Sequence, residues 1–515
     1  LGDVYKRQLM EFSINDSIGS IYSALVESGA DVYCFSCYIW NIEIILKAAE
    51  LIKKAMPNIV IIFGGPESGY NSDELLKKYN FIDTIIRGEG EIIIGKVLEL
   101  IQQGKRPNRF YQGECVDLNS LKFPYTTLDI ENLKNKILYF ETSRGCPFRC
   151  AYCLSSADSN GIRYFPMEYV KKGFKFFFDK KVPLVKLIDR TFNCDSKRAV
   201  EIVNYIIENS TATKVHFEIE ASILTDELIS VLNSAPKDMF QIEVGVQTIN
   251  HEALTAVNRN YDLEKIRYNI RRLTEPKNIH IHLDLIAGLP FEDYNSFIKS
   301  FNFVYSMSPD MLQLGFLKVL KGTQVSERFT SDIKYAEFPP YEVISTKWIS
   351  ASELLKLKKV ENAVDMFYNS GKFFNSIRSI SEKPPYDNNP YSLFEQLGEK
   401  VKSSEKAGKL ANTAFYEILY EVFGDCIIEE LAVDFIKNNK TARLPKFLHR
   451  EMSKSFKTHC IELINNPNFV ESYKISRNLK DLRFEHILNK VFVMDYSNNL
   501  FFDITESVSY THLTL

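Results

Sequence analysis

The sequence predicts an α/β protein with two consecutive alternating regions, followed by a helical C-terminal region. Between about residues 9 and 330, short apolar runs such as NIVIIFGG alternate with amphipathic segments of helical spacing. Beyond about residue 338 only the helical spacing continues. The length of 515 residues agrees with about three domains at the usual ~150 residues each.

The composition is that of an ordinary soluble protein, with 45% hydrophobic residues and a formal net charge of −3. The apolar runs are too short to span a bilayer and no charged-then-apolar leader precedes them, so we expect a cytoplasmic protein. There the nine cysteines are expected as thiols, metal ligands or core residues rather than disulfides. The small net charge predicts no general attraction to nucleic acid or membrane.

Residues 9–108 are predicted to form a doubly wound, Rossmann-like domain with a parallel sheet. Its strands are expected in DVYCFSCY, NIVIIFGG and FIDTIIRGEGE, and its helices in SINDSIGSIYSALVESGA, NIEIILKAAELIKKAMP and EIIIGKVLELIQQ. Such sheets bind ligands at the carboxyl ends of their strands, where Gly64, Gly65, Gly88 and Gly90 stand. Tight turns explain these glycines about equally well.

The chain termini and the segment after this domain have a different character. LGDVYKRQ and SVSYTHLTL resemble read-through of sequencing adapters, so residues 1–8 and 507–515 are expected to be artefact and the first strand to be truncated. Residues 109–135 have the composition of a linker.

Residues 136–330 are predicted to form six βα-type units, an incomplete version of the eight-stranded TIM barrel. The expected strands are KILYFETSRG, PLVKLIDRTF, KVHFEIEAS, FQIEVGVQT, IHIHLDLIAGLP and DMLQLGFLKVLKGT. Chemistry in such barrels lies at the carboxyl ends of the strands. Residues 338–506 are predicted to form a mostly helical C-terminal domain.

Three cysteines, Cys146, Cys150 and Cys153, stand at the end of the first barrel strand with three and then two residues between them. A 4Fe–4S cluster takes four ligands, so three thiolates leave one iron open. A zinc site would favour a further Cys or His pair, yet no histidine precedes His216. Chance packing of three cysteines within eight residues is the remaining alternative.

The motif Cys146-x3-Cys150-x2-Cys153, with Tyr152 before the last cysteine, resembles the signature of the radical S-adenosylmethionine superfamily. The resemblance implies that the open iron binds the amino and carboxylate groups of S-adenosylmethionine. Reductive cleavage then gives a 5′-deoxyadenosyl radical that abstracts hydrogen from a substrate. Tyr152 is implied to lie beside the adenine.

Four further barrel positions are implied to lie near S-adenosylmethionine. Glu243 and Gln247 stand in EVGVQT, which resembles a strand of the coproporphyrinogen-oxidase-like branch. Arg259 is implied to pair with the carboxylate, a task that suits a guanidinium group. In place of the family's usual Gly-Gly-Glu-like turn stands IDRTFNCD, so Asp189 is the expected contact there. A role in the barrel wall is the alternative for the first three.

The N-terminal domain, with FSCYIWN, FGGPES and RGEGE, resembles the cobalamin-binding domain of class B radical S-adenosylmethionine enzymes. The residues implied to contact cobalamin are Ser36, Trp40, Gly64, Gly65, Glu67, Arg87, Gly88 and Glu89. Classical cobalamin domains supply a histidine to cobalt from an Asp-x-His-x-x-Gly loop after strand one. No histidine stands at that place in this sequence, so the cobalt is expected to lack a histidine ligand. For Trp40, a core or lid position is the alternative.

The resemblance implies an anaerobic radical enzyme, most simply a methyltransferase acting on an unactivated carbon. Radical cyclisation or rearrangement with the same cofactors is one alternative, and a non-catalytic cobalamin or redox sensor is another. The expected partners are a small-molecule or peptide substrate and an electron donor such as flavodoxin or ferredoxin. The basic run from Lys437 to Lys457 is expected to be a solvated helix face, with tRNA binding as the minority alternative. The C-terminal domain resembles a family of unknown function found attached to such enzymes.

Overall fold

A computed structural model describes residues 8–133, 136–156, 161–210, 212–405, 413–448, 458, 462–487 and 490–507. The chain forms two compact units. The first contains Leu1–Phe297 and Gly315–Ala351, and the second contains Ile298–Leu314 and Ser352–Leu515. None of the helices in the described ranges is both long enough and apolar enough to cross a membrane.

The N-terminal region has a four-stranded sheet in the order β1-β2-β3-β4, and every pairing in it is parallel. Its strands are β1 (Val32–Ser36), β2 (Val60–Gly64), β3 (Thr84–Arg87) and β4 (Phe110–Gln112). Its helices are α1 (Ile18–Ser28), α2 (Ile42–Ala55), α3 (Pro66–Tyr70), α4 (Ser72–Lys78) and α5 (Glu91–Gln102).

The strand order explains how this region relates to the predicted doubly wound sheet. A doubly wound sheet reverses its strand order at a switch point, whereas β1 to β4 follow one another in a single direction. The described strands therefore form one half of such a sheet. β4 lies within the segment predicted as a linker, where a three-residue edge strand leaves little periodic signal.

The local sequence accounts for the boundaries of α1. The Ser17 side chain accepts a hydrogen bond from the Ser20 backbone N–H and so caps the start of the helix. Gly29 ends it in the left-handed region, with φ of 57°.

The second region is a six-stranded sheet in the order β12-β11-β10-β9-β8-β5, and the four pairings from β5 to β11 are parallel. Its strands are β5 (Leu138–Phe140), β8 (Leu184–Leu187), β9 (Lys214–Ile219), β10 (Phe240–Gln247), β11 (His280–Ala287) and β12 (Met311–Phe316). A small antiparallel pair, β6 (Ser143–Arg144) with β7 (Arg163–Tyr164), follows β5. The six predicted barrel strands are confirmed.

Helices alternate with these strands as in a partial (β/α)6 barrel. They are α7 (Met167–Asp179), α8 (Ser196–Asn209), α9 (Asp226–Asn233), α10 (His251–Ala256), α11 (Leu263–Thr274), α12 (Tyr294–Tyr305) and α13 (Gln324–Arg328). A further short helix, α6 (Thr127–Asn132), precedes the sheet. The antiparallel pair β13 (Ile333–Tyr335) and β14 (Val343–Thr346) follows it.

The strands of the barrel bury alternate residues. On β10, Phe240, Ile242 and Val244 are buried, whereas Gln241 and Glu243 between them are only partly buried. Side chains alternate between the two faces of a strand, so the apolar set packs outward against the helices and the polar set lines the interior.

The second unit is mostly helical, as predicted. Its helices are α14 (Ala351–Ala363), α15 (Phe374–Ser381), α16 (Pro390–Glu405), α17 (Ala414–Phe423), α18 (Ile428–Asn438) and α19 (Pro467–Tyr473), with a π-helical turn over Val364–Asn369. The buried Asp434 carboxylate of α18 accepts hydrogen bonds from the backbone N–H groups of Asn375 and Ser376, which fixes the start of α15.

This unit also contains an antiparallel sheet that the sequence analysis did not predict. Its strands are β15 (Leu482–Ile487), β16 (Lys490–Asp495) and β17 (Leu500–Asp503). Asn499, in the turn before β17, has φ of 53°, a conformation typical of Asn in hairpin turns. The predicted basic run lies partly outside the described residues, which omit 449–457.

Candidate functional site

The cysteine loop begins at the carboxyl end of the first barrel strand. Gly145 has φ of 92°, and a Cβ atom there would lie 2.2 Å from the carbonyl oxygen of Gly161. Only glycine fits this turn. Cys146 follows, with its Sγ atom 3.6 Å from Oγ1 of Thr191. Cys150 is buried.

The three predicted ligand thiols lie in one neighbourhood. Burial raises the pKa of the Cys150 thiol, Cys153 and Cys146 raise it further, and the Arg259 guanidinium opposes the rise. Among the described residues, no three His, Cys, Asp or Glu side chains are already arranged to hold a metal ion. Cluster ligation would therefore need deprotonation and convergence of the thiols, as is usual when a metal completes its own site.

Arg259 connects the cysteine loop to the barrel strands. Its Nη1 atom donates to the Tyr152 hydroxyl at 2.7 Å and lies 3.7 Å from Sγ of Cys150. Its Nη2 atom donates to the Glu220 carboxylate at 3.1 Å and to the Gly245 carbonyl at 2.7 Å. The guanidinium thus holds the loop against the ends of two strands.

The environment keeps this guanidinium charged. Burial acts to lower the pKa of Arg259, but Tyr152, Cys150 and Glu220 outweigh it and raise that pKa. For Tyr152, burial raises the pKa, so its side chain stays a neutral hydroxyl. Within the described residues, the buried Nε atom of Arg259 has no protein hydrogen-bond partner. One N–H donor therefore remains for a ligand such as a carboxylate.

Asp189 is buried and anchors the start of the cysteine loop. Its carboxylate accepts hydrogen bonds from the Thr142 backbone N–H at 2.7 Å, the Thr142 hydroxyl at 2.5 Å and the Ser143 hydroxyl at 2.6 Å. Burial raises the pKa of Asp189, and these donors oppose the rise. The predicted contact with S-adenosylmethionine stays a prediction, because these protein donors already engage both carboxylate oxygens.

Gln247 and Glu243 occupy different levels of β10. Gln247 ends the strand with φ of 69°, and its buried Oε1 atom has no hydrogen-bond partner among the described residues. That orphaned acceptor fits a ligand at the barrel mouth. Glu243 lies deeper, where its carboxylate is 3.0 Å from Nε2 of His216 and 3.3 Å from Nζ of Lys186.

The glycines at the carboxyl edge of the N-terminal sheet differ in what surrounds them. A Cβ atom on Gly65 would lie 2.6 Å from the Cys37 carbonyl oxygen, and φ there is +94°, so the chain itself requires this glycine. Gly88 is similar, since its Cβ would lie 3.1 Å from Nε2 of Gln112. A Cβ on Gly64 would meet nothing closer than 3.9 Å, which leaves open space for a ligand.

Other predicted cobalamin contacts lie at the same edge. Ser36 ends β1 and is exposed. Trp40, in the following loop, is 62% exposed and stacks on Tyr38 with 4.5 Å between ring centroids. Arg87 ends β3 and lies over the Tyr70 ring. An exposed tryptophan stacked on a half-buried tyrosine at a strand end is an apolar surface on which a flat ligand can pack.

Glu67 and Glu89 have protein partners instead of facing open space. Glu67 is buried and accepts a hydrogen bond from the Tyr341 hydroxyl. Glu89 accepts from the Val116 backbone N–H at 2.8 Å, pairs with Arg163, and lies 3.2 Å from Nη1 of Arg144. Burial opposes ionisation of Glu89, but these donors together lower its pKa. Direct cobalamin contacts by these two carboxylates stay predictions.

Sequence reasoning did not single out Arg144, which joins the two α/β regions. Its Nη2 atom is 2.7 Å from the Glu91 carboxylate and its Nε atom is 2.9 Å from that of Glu141. With Glu89, this arginine contacts three carboxylates and stands two residues before Cys146. The signal in the sequence is its position two residues before the first cysteine, at the end of β6.

A fourth thiol lies near the loop. Burial raises the pKa of Cys194 to about 12, the nearby Cys146 raises it, and a hydrogen bond with Thr191 opposes the rise. The neutral thiol is therefore its stable form at pH 7.

Three family models match the chain. The B12 binding domain matches residues 5–98, the radical SAM superfamily matches residues 140–304, and the protein of unknown function DUF4080 matches residues 330–510. The expected combination of a cobalamin-binding domain, a radical S-adenosylmethionine domain and a C-terminal domain of unknown function is confirmed. The corresponding cofactors, a 4Fe–4S cluster, S-adenosylmethionine and cobalamin, belong to these domains.

Two curated relatives are methyltransferases. One is the 2-(S-pantetheinyl)-carbapenam-3-carboxylate methyltransferase of Streptantibioticus cattleyicolor, 25% identical over 300 residues, 52% of this chain and 44% of that protein. The other is the cobalamin-dependent radical SAM methyltransferase TokK of Streptomyces tokunonensis, 24% identical over 302 residues, with the same coverage of 52% and 44%. The chain thus spans less than half the length of these relatives.

The fold is similar to that of a solved radical S-adenosylmethionine methyltransferase, TsrM from Kitasatospora setae. The TM-score is 0.52 and the sequences are 13% identical, covering 64% of this chain and 72% of that one. The TsrM structure has tryptophan and an S-adenosylmethionine analogue bound. This similarity confirms the expected α/β fold class.

Proposed function

We propose that this chain is a cobalamin-dependent radical S-adenosylmethionine methyltransferase that acts on an unactivated carbon. The observation that carries the proposal is the contact between the cysteine loop and the RGEGE loop of the B12 binding domain. Arg144, two residues before Cys146, pairs with Glu89 and Glu91 of that loop. Methyl transfer needs the two cofactor sites to face a common substrate, and this contact joins the segments that would hold them.

Different residues of the barrel would hold the cluster and S-adenosylmethionine. Cys146, Cys150 and Cys153 would ligate the cluster, and the Gln247 amide oxygen and the Arg259 Nε atom are free to bind polar groups of S-adenosylmethionine. When bound, the cluster and S-adenosylmethionine supply a carbon radical that abstracts hydrogen, and cobalamin supplies the methyl group.

Contacts within the chain keep these groups oriented. Arg259 fixes Tyr152 and Cys150 to the ends of β9 and β10, and Asp189 holds the strand residues that precede the loop. Fixed partners of this kind reduce the reorganisation that a reaction requires. The electron that starts cleavage would come from a donor such as flavodoxin or ferredoxin.

The test uses anaerobically reconstituted protein with hydroxocobalamin, methyl-labelled S-adenosylmethionine and a reductant. We expect label on the protein-bound cobalamin and formation of 5′-deoxyadenosine. Cys150→Ala should abolish both the cluster absorbance and the 5′-deoxyadenosine, because each thiolate is a required ligand. The matched control is Cys426→Ala, since Cys426 is an exposed thiol in the second compact unit.

The outcomes separate the alternatives. Label on cobalamin with 5′-deoxyadenosine supports a methyltransferase. 5′-Deoxyadenosine without label on cobalamin would favour radical cyclisation or rearrangement. Retained cobalamin with neither product would favour the sensor and contradict the proposal.

A further inference from the structure

A layer of ionisable side chains lines the interior of the barrel. We call it the lumen layer, and it consists of Lys186, His216, Glu218, Glu243, His282 and Asp284. Adjacent strands bring these residues side by side, since Lys186 pairs in register with His216, Glu218 with Glu243, and Glu243 with His282.

The lumen layer begins at the level of the residues that hold Arg259 and extends below them. Glu218 precedes Glu220 by two residues on β9 and its continuation, and Glu243 precedes Gly245 by two residues on β10. Two residues of a strand span about 6.5 Å. Asp284 pairs in register with Gly245 and so lies level with the site proposed for S-adenosylmethionine. Glu218, Glu243 and His282 lie one step deeper, and Lys186 and His216 lie below them, on the same interior face.

The hydrogen bonds of this layer leave one acceptor unused. Glu243 is paired with Lys186 and His216, and Nε2 of His282 is 2.8 Å from Nδ1 of His280. Asp284 interacts with Glu243, but its buried Oδ1 atom has no partner among the described residues. A buried acceptor without a donor is costly unless a ligand or water satisfies it.

The charges of the layer are unbalanced toward acid. Three carboxyl groups face two permanent cations, Lys186 and Arg190, and Arg190 is exposed. Burial and the Glu243 charge raise the pKa of Glu218 and raise that of Asp284 well above its ordinary value.

His282 does not compensate for this excess. Burial, together with the charges of His280, His216 and Lys186, lowers the pKa of His282 to about 4, so that its ring is neutral at pH 7. A further cation in the layer would relieve the repulsion among the carboxyl groups.

We propose that the lumen layer binds the ammonium group of an amine-bearing organic substrate, with Asp284 and Glu218 as its acceptors. This proposal names the class of molecule that the proposed methyltransferase would methylate. Only the methylation of the bound amine, and not its binding, rests on the proposed function. Ammonium binding would ionise Asp284 and release its proton to solvent, which balances the charge that enters the barrel.

The experiment measures binding of n-propylammonium to the full chain by isothermal titration calorimetry at pH 7, in two buffers with different enthalpies of ionisation. 1-Propanol and propionate are the neutral and anionic controls. We expect binding of n-propylammonium alone, with release of up to one proton per ammonium bound. Asp284→Asn and Glu218→Gln should each weaken binding on the order of tenfold or more, the scale of one charge-assisted hydrogen bond.

The control variant is Asp425→Asn, which removes an exposed carboxylate in the second unit and should not alter binding. Circular dichroism shows whether each variant folds, and if Asp284→Asn does not, Glu218→Gln alone decides. Equal binding of 1-propanol, preferred binding of propionate, or no loss in the folded lumen variants would overturn the proposal.

The same preparation is assayed for 5′-deoxyadenosine and for bound cobalamin. Ammonium binding without these two signals would contradict the proposed function and leave the lumen site standing. The reverse result would contradict the lumen site alone.

Discussion

Asp189 offers a sharp test because the sequence and the structure give it different tasks. The sequence predicts a contact with the cofactor, whereas the structure places its carboxylate on three donors from Thr142 and Ser143, at 2.7, 2.5 and 2.6 Å. Asp189→Asn keeps the shape of the side chain but removes its charge, and it turns one of the two acceptors into a donor.

The size of the effect follows from these contacts. Hydrogen bonds to charged groups contribute about 1.5–3 kcal/mol each, and a buried donor left unsatisfied costs about 1–3 kcal/mol. The hydroxyl of Ser143 can rotate to accept from the new amide, so we expect a net loss of about 2–4 kcal/mol in unfolding free energy. Cys146 stands three residues after Ser143, so loss of this anchor should also reduce the incorporation of iron.

Thermal or denaturant unfolding measures the stability, iron analysis measures cluster incorporation, and calorimetry measures binding of S-adenosylmethionine. The matched control is Asp195→Asn, an exposed helix cap that accepts from the Arg198 N–H. Because asparagine caps a helix about as well as aspartate, this change should leave both the unfolding free energy and the iron content nearly unchanged. If Asp189→Asn unfolds like the wild type and keeps its iron, but binds S-adenosylmethionine weakly, the anchoring role is refuted and the predicted cofactor contact is supported.

Three other variants test the remaining parts of the site. The Gly64→Leu protein should fold normally yet lose hydroxocobalamin on gel filtration, and retained cobalamin in the folded variant would show that no ligand uses this space. Gly65→Ala should instead lower the unfolding free energy by about 1–3 kcal/mol, through backbone strain and contact with Cys37. Arg144→Met should lower the unfolding free energy by up to about 3 kcal/mol, which is less than the loss for a fully buried ion pair because the partners of Arg144 are partly solvated. A melting temperature equal to that of the wild type would show that these ion pairs do not stabilise the protein. The pKa of Glu243 is lowered to about 2, mainly by His216, so its contribution of at most about 3 kcal/mol is present above pH ~4.5 and is lost as pH falls toward 2. The unfolding free energy measured with urea should therefore fall more steeply between pH ~4.5 and ~3 for the wild type than for Glu243→Gln. Parallel curves of unfolding free energy against pH would contradict this assignment.

The sequence was sufficient to predict the strands, because periodicity is a local property. All six barrel strands and the first three strands of the N-terminal sheet lie within their predicted segments. The sheet of the second unit was missed because its strands are short and follow a long helical region, so that each strand taken alone gives a weak signal.

Partners distant in the sequence could not be predicted in the same way. Glu67 and Tyr341 are 274 positions apart, and Glu89 and Arg163 are 74 apart. A carboxylate beside a glycine-rich turn looks available for a ligand until the residue that neutralises it is known. Local pattern therefore identified the correct edge of the sheet, but it could not separate side chains that face a ligand from those that hold the regions together.

The ion pairs of Arg144 couple the conformation of the cysteine loop to that of the B12 binding domain. Arg144 contacts Glu141 on the barrel side and Glu89 and Glu91 on the other. The N-terminal region alone would therefore leave Glu89 and Glu91 without this cation, whereas the barrel would keep the pair of Arg144 with Glu141. Removing one partner from such a network is costly because the remaining charges lose their compensation. The RGEGE loop thus stabilises the start of the cysteine loop in this conformation. A bound cobalamin that orders the RGEGE loop would for that reason also order the loop that ligates the cluster, and cobalamin binding should raise iron retention in the wild type but not in Arg144→Met.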